Sequence, residues 1–183
     1  VQIPVRDKTS DDAQDRIGKV WARVAMPFGG ASWGQYFFPE KGDQVLLAFE
    51  HGNIEKAFIV GSIYKDNASM LKSSIHMKNQ NKKIVTKNGN TIAFEDVDGA
   101  DGQKDKISIY TANKSHTVSL DNEKNQILIS DKEGKNKIQM DTEKGNISVK
   151  AENKLTISVG DNIELTMNGN SGTVTLKCGK LNV

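Results

Sequence analysis

The chain is short of the residues that fill a large core or lock a small one. Its 183 residues include one cysteine, three prolines and only 6% aromatics. The lone Cys178 excludes an intrachain disulfide and fits folding in a reducing compartment. Its neighbours Leu176 and Leu181 point to an ordinary strand position rather than to a reactive thiol. Basic residues number 25 and acidic residues 23, so the net charge of +2 offers no electrostatic footprint for nucleic acid. No apolar run approaches the length that crosses a bilayer, and no signal peptide is expected. The chain opens on Val1 rather than Met and is read as a fragment, with more protein expected upstream.

Catalytic constellations are scarce as well. The three histidines, His51, His76 and His116, stand far apart, without His-x-His, His-x-x-x-His or Cys-x-x-Cys spacing. A zinc site therefore has little support. The acid pairs Glu95-Asp96 and Asp131/Glu133 sit in polar, lysine-rich turns, where solvation explains them better than glycoside hydrolysis. Neither a nucleophile elbow nor a phosphate loop is present. The expectation is a protein that is not an enzyme and carries no cofactor or metal.

What the sequence does hold is strand alternation. From about residue 84 onward it has no proline and only Phe94 and Tyr110 as aromatics. Apolar pairs recur at Ile92/Phe94, Ile107/Ile109, Val118/Leu120, Ile127/Ile129, Ile138/Met140 and Ile147/Val149. They continue at Leu155/Ile157/Val159, Ile163/Leu165/Met167 and Val174/Leu176, with Gly, Asn, Asp or Lys between most of them. Such alternation describes half-buried strands joined by tight turns, each with one apolar face. A single-layer meander has nothing of its own to cover that face. Small aliphatic residues suit a narrow core shared by identical sheets around an axis. Open sheet edges also call for partners. Three intertwined copies meet both needs and close the assembly. A single-chain solenoid is the alternative, but the repeat is too short and irregular for one.

The N-terminal part differs. Nine of the eleven aromatics fall between Trp21 and Tyr64. Strands are expected at Ile17–Met26, Gly34–Phe38, Gln44–Glu50 and Ala57–Ile63, separated by turns at Pro27–Gly30, Pro39–Asp43 and His51–Asn53. Short strands around an aromatic interior predict a small closed barrel, of which the OB-fold is one instance. Residues 1–16 read as a polar, weakly structured extension, and Lys65–Lys83 as a solvated linker or neck. The expected organisation is an extension at 1–16, a barrel at 17–64, a neck at 65–83 and a β-shaft at 84–183.

The order Arg16-Ile17-Gly18-Lys19-Val20, Trp33-Gly34, Phe38-Pro39-Glu40-Lys41-Gly42-Asp43-Gln44-Val45 resembles a known family pattern. It continues with Phe49-Glu50-His51-Gly52-Asn53, Ala57-Phe58-Ile59-Val60-Gly61 and Ile63-Tyr64. This is similar to the OB-fold domain of the spikes of contractile injection machines. Those include contractile phage tails, VgrG proteins of type VI secretion and extracellular injection particles. The motif elements cover about a third of the chain, and the strand-rich tail resembles the trimeric β-helix, or β-prism, that follows in the family.

The resemblance implies an all-β homotrimer working as a rigid, non-catalytic, membrane-piercing needle. Its implied partners are an Hcp-like tube protein and baseplate hub, a PAAR-repeat tip protein, an effector, and transiently the target-cell membrane. It also implies assembly in the bacterial cytoplasm followed by secretion or injection. Some phage spikes carry a lysozyme domain between barrel and helix, but Lys65–Lys83 is too short to hold one. The blunt end is expected to dock the tip protein through Leu176, Cys178, Leu181 and Val183. Two other classes compete: an OB-fold module binding nucleic acid or carbohydrate, and a trimeric adhesin or tail-fibre fragment. Basic residues of the barrel are offset by acids, which disfavours nucleic acid as a partner.

Overall fold

The computed structural model describes residues 2–6, 17–65, 68–75 and 77–181. It is all-β apart from short helical turns and divides into two compact units, Val1–Lys72 and Ser73–Val183.

In the first unit, β1 (Gln2–Arg6) pairs antiparallel with β2 (Ile17–Trp21), Gln2 opposite Trp21 and Arg6 opposite Ile17. The expectation of a weakly structured extension therefore fails for Gln2–Arg6, whose backbone is satisfied by a partner strand. The chain breaks step at Ala22 and resumes as β3 (Arg23–Val24), which runs parallel to β5 (Ala57–Ile63). β4 (Gln44–Phe49) completes the sheet in the order β3-β5-β4, with a bulge between Leu46 and Leu47. Ala22, Ala57 and Ile59 are buried at its centre, flanked by Val20, Val24, Val45 and Leu47.

Two expectations are corrected here. Gly34–Phe38 is not a strand; it belongs to a loop closed by a Gly29–Gly34 bridge. Lacking that strand, the described strands form an open three-stranded sheet and a separate pair rather than a closed barrel.

The division between the units falls within α1 (Ser69–Ser74), inside the segment expected to be a solvated linker or neck. The first strand of the second unit is one that the alternation does not reveal, β6 (Asn81–Val85). Next come β7 (Thr91–Glu95), β8 (Lys106–Tyr110), β9 (His116–Asp121), β10 (Gln126–Asp131), β11 (Lys137–Asp141) and β12 (Asn146–Lys150). These seven pair antiparallel with their sequence neighbours as one meander. A second meander holds β13 (Lys154–Val159), β14 (Ile163–Asn168) and β15 (Thr173–Lys177). All nine apolar pairs lie in strands.

The turns explain the regularity. Asp121, Asp131 and Asp141 end successive strands ten residues apart. Each carboxylate accepts a backbone N–H from its own turn: Lys124 at 3.1 Å, Lys135 at 2.9 Å and Lys144 at 2.9 Å. Aspartate suits this position because its short side chain reaches backbone donors two to four residues ahead. Gly145 closes one of these turns at φ 68°, a left-handed conformation that glycine adopts without a Cβ clash.

Turns on the same side of the sheet are also stitched together. On one side, Asn122 N–H donates to the Asp105 carbonyl at 3.0 Å and Thr142 N–H to the Asn125 carbonyl at 2.8 Å. On the other, Lys132 N–H donates to the Ser115 carbonyl at 3.0 Å and Glu152 N–H to Asn136 Oδ1 at 3.0 Å. Each stitch spans one strand pair plus its turns. The meander is thus bonded along both margins as well as across its strands.

Candidate functional site

Strand register gathers the apolar residues into two continuous rows. One runs Ile84, Ile92, Ile109, Val118, Ile129, Ile138, Val149, each opposite the next. The other runs Phe94, Ile107, Leu120, Ile127, Met140, Ile147. Apart from half-buried Ile127, these side chains are 38–71% exposed within the chain. Soluble proteins rarely leave so large a contiguous apolar surface uncovered, and such patches mark interaction sites.

The opposite face departs from the simple expectation of an exposed polar surface. Ser108 and Ser119, each 6% exposed, lie with buried Ala93, Thr91 and Asp121. Ser108 stands between the longer Lys106 and Tyr110 on its own strand, and short side chains in such a row keep little accessible area. Asp121 is satisfied by its turn and by Lys106 and Lys124 at 3.6 and 3.7 Å.

The second meander repeats the pattern. Leu155, Met167 and Val174 are in register, as are Ile157, Leu165 and Leu176. Of the residues expected to dock a tip protein, Leu176 lies on β15, Cys178 follows it half-buried, and Leu181 is exposed. Val183 lies outside the described residues.

The loop from Pro27 to Phe38 carries no charge and presents Phe28, Trp33, Tyr36, Phe37 and Phe38 to solvent. Phe28 packs on Trp33 with ring centroids 4.6 Å apart, and Tyr36 on Phe38 at 4.7 Å. Gly30 N–H donates to the Trp33 carbonyl at 2.8 Å, and Gln35 N–H to the Phe28 carbonyl at 3.0 Å. The sequence expectation puts such aromatics inside a barrel; here they line an open loop.

The acid pairs weighed for catalysis have structural employment. Asp96 pairs with Lys82 at 2.8 Å, and Glu133 with Lys135 at 3.1 Å. Asp131 accepts the Asn136 side-chain amide at 2.7 Å and two backbone N–H groups of its turn, which hold its carboxyl below the ordinary value. Thr111 Oγ1 accepts the His116 backbone N–H at 3.0 Å, and His76 lies outside the described residues. Among the described residues no three His, Cys, Asp or Glu side chains gather as a metal site, and no helix is long and apolar enough to cross a membrane.

Alternation locates the apolar face; it does not locate the stitched turns. Their signal is the ten-residue recurrence of Asp121, Asp131 and Asp141.

Comparison with known proteins bears on this arrangement. Residues 1–64 match the family described as the type VI secretion system/phage-baseplate injector OB domain. Over 120 residues the chain is 25% identical to the type VI secretion system spike protein VgrG1b of Pseudomonas aeruginosa. That stretch covers 62% of this chain and 16% of the relative, so the chain spans only a small part of the relative's length. Residues 1–64 thus resemble an injector OB domain, and over the matched stretch the chain is similar to a VgrG spike protein.

Proposed function

We propose that this chain forms the rigid, non-catalytic spike of a contractile injection machine, built as a homotrimer with the two apolar rows turned inward. The uncovered apolar face of the seven-stranded meander carries this reading. Burying even half of a large aliphatic side chain contributes about 1 kcal/mol. Thirteen such residues on each of three copies then supply a driving force well above the few kcal/mol of typical domain stability. A trimeric β-helix shaft satisfies that face with nothing but copies of the chain.

Rigidity follows from the bonding. A strand of the meander is held by its neighbours and by the turn stitches at both margins, so local opening breaks several bonds together. Sheath contraction would drive such a rod into a target membrane with little loss to bending. The OB unit would seat the shaft on an Hcp-like tube and the baseplate hub. Assembly in the cytoplasm and export on contraction belong to the same reading. Leu176, Cys178, Leu181 and Val183 would dock a PAAR-repeat tip protein, with an effector as further cargo. Leu181→Asp, beyond the last strand, should abolish co-purification of the tip protein while leaving the mass of the spike unchanged.

The deciding experiment is light scattering after size exclusion, with sedimentation for shape. An elongated particle of three times 20.1 kDa is expected. A compact monomer would overturn the shared core. It would favour the second reading, a carbohydrate-binding module, which the uncharged aromatic loop around Trp33 and Tyr36 supports through ring stacking.

A further inference from the structure

Every consecutive pair of strands from β6 to β15 is hydrogen-bonded, except β12 and β13. Only Ala151, Glu152 and Asn153 separate them, a length that ordinarily makes a hairpin. The connector is already engaged elsewhere. Glu152 N–H donates to Asn136 Oδ1 at 3.0 Å, and the Glu152 carboxylate pairs with Lys135 at 3.0 Å. The Asn153 carbonyl accepts Gly169 N–H at 2.8 Å. The chain therefore leaves two strand edges open in mid-sequence.

These edges lack the usual protection. β6, at the far margin of its sheet, carries Lys82 and Lys83 at its centre. β12 and β13 keep lysine only at the ends nearest the connector, and neither contains proline or a bulge. Unprotected edges of this kind pair with other strands.

Resting on the trimer reading above, we propose that the β12 edge of one copy pairs with the β13 edge of the next, making residues 151–153 the point where the chain passes from one face of the shaft to another. Each copy offers one edge of each kind, and a closed ring uses each edge once and leaves none over. The two strands have five and six residues and alternate apolar and polar side chains in the same way. Pairing between copies continues the apolar face without a step.

Cysteine cross-linking tests the pairing. In a Cys178→Ser background, one cysteine replaces Asn146, Ser148 or Lys150, and a second replaces Lys154, Thr156 or Ser158. The nine combinations cover the possible registers on the polar face. Each is weighed by light scattering, oxidised, and run on a non-reducing gel beside its two single-cysteine parents. The expected result is a band at three times the 20.1 kDa chain mass for at least one combination, absent from both parents. Only intrachain disulfides, or no disulfide in all nine, from particles that weigh as trimers would overturn the pairing and leave the trimer standing. Particles that weigh as monomers before oxidation would overturn both.

Discussion

The Lys135 ammonium lies 3.0 Å from the Glu152 carboxylate and 3.1 Å from that of Glu133, tying the β10–β11 turn to the connector after β12. The hydrogen bond that Lys135 donates to Glu152, followed by the one it donates to Glu133, raises its pKa above the ordinary lysine value. A group whose pKa is raised by folding stabilises the fold fully below its unfolded value, and that contribution is lost as pH rises through the folded value. Thermal unfolding followed from neutral to strongly alkaline pH should lose midpoint in the lysine range. Glu152→Gln should flatten that loss and speed amide exchange at residues 151–153. An unchanged alkaline profile would show that the pair holds nothing.

The acid side depends on Asp131 and Asp141. The side-chain hydrogen bond from Asn136 is the main cause of the lowered pKa of Asp131, and the backbone N–H of Lys144 that of Asp141. For such groups the stabilisation is present above the unfolded carboxylate value, about 3.9, and disappears as pH falls through the folded value. The thermal midpoint should therefore fall below about pH 4. Asp131→Asn should be less stable at neutral pH, because an amide cannot accept all three donors, and less sensitive to acid. Midpoints measured at several pH values for both proteins check the sign.

Two glycines in the aromatic loop should respond differently to alanine. At Gly34, φ is 139° and a Cβ would stand 2.5 Å from the Gly29 Cα, so backbone must move. Gly34→Ala should destabilise the first unit by about 1–3 kcal/mol. At Gly30 the Cβ would meet the Trp33 indole at 2.5 Å, and a side chain can turn away. Gly30→Ala should shift Trp fluorescence and near-UV circular dichroism with a smaller loss of stability. Equal effects at both positions would contradict this division between backbone and ring.

How much of the fold is legible in the sequence depends on how local the cause is. Alternation at Ile107/Ile109 or Ile138/Met140 is local and marks its strands. Asn81–Val85 escapes because Lys82 and Lys83 hide the alternation, and β6 is held by its pairing with β7. Gly34–Phe38 misleads because a run of aromatics has strand character, whereas Gly29, Gly30 and Gly34 allow a close-packed loop instead. The break at residues 151–153 is invisible. Its causes, Asn136 and Gly169, lie 16 residues from the atoms they engage. The apolar face is readable as a face; no pattern in one chain names what covers it.

Ile129 offers the sharpest test of the buried rows, since it stands mid-sheet between Val118 and Ile138 yet is largely exposed within one chain. On a solvent-exposed strand, Ile129→Ala should cost about 0.5 kcal/mol. Inside a packed axial core the same change removes three buried carbons from each copy and leaves cavities around the axis, costing about 2–4 kcal/mol per chain. Ile129→Asp should go further, because three unpaired carboxylates cannot be buried together. Its mass by light scattering should fall to the single-chain value of 20.1 kDa. Ser148→Asp, on the polar face of β12, supplies the control and should remain trimeric. Should Ile129→Asp stay trimeric while Ser148→Asp falls apart, the shaft is assembled with its faces reversed, and the buried Ser108–Ser119 row rather than the isoleucine rows would mark its axis.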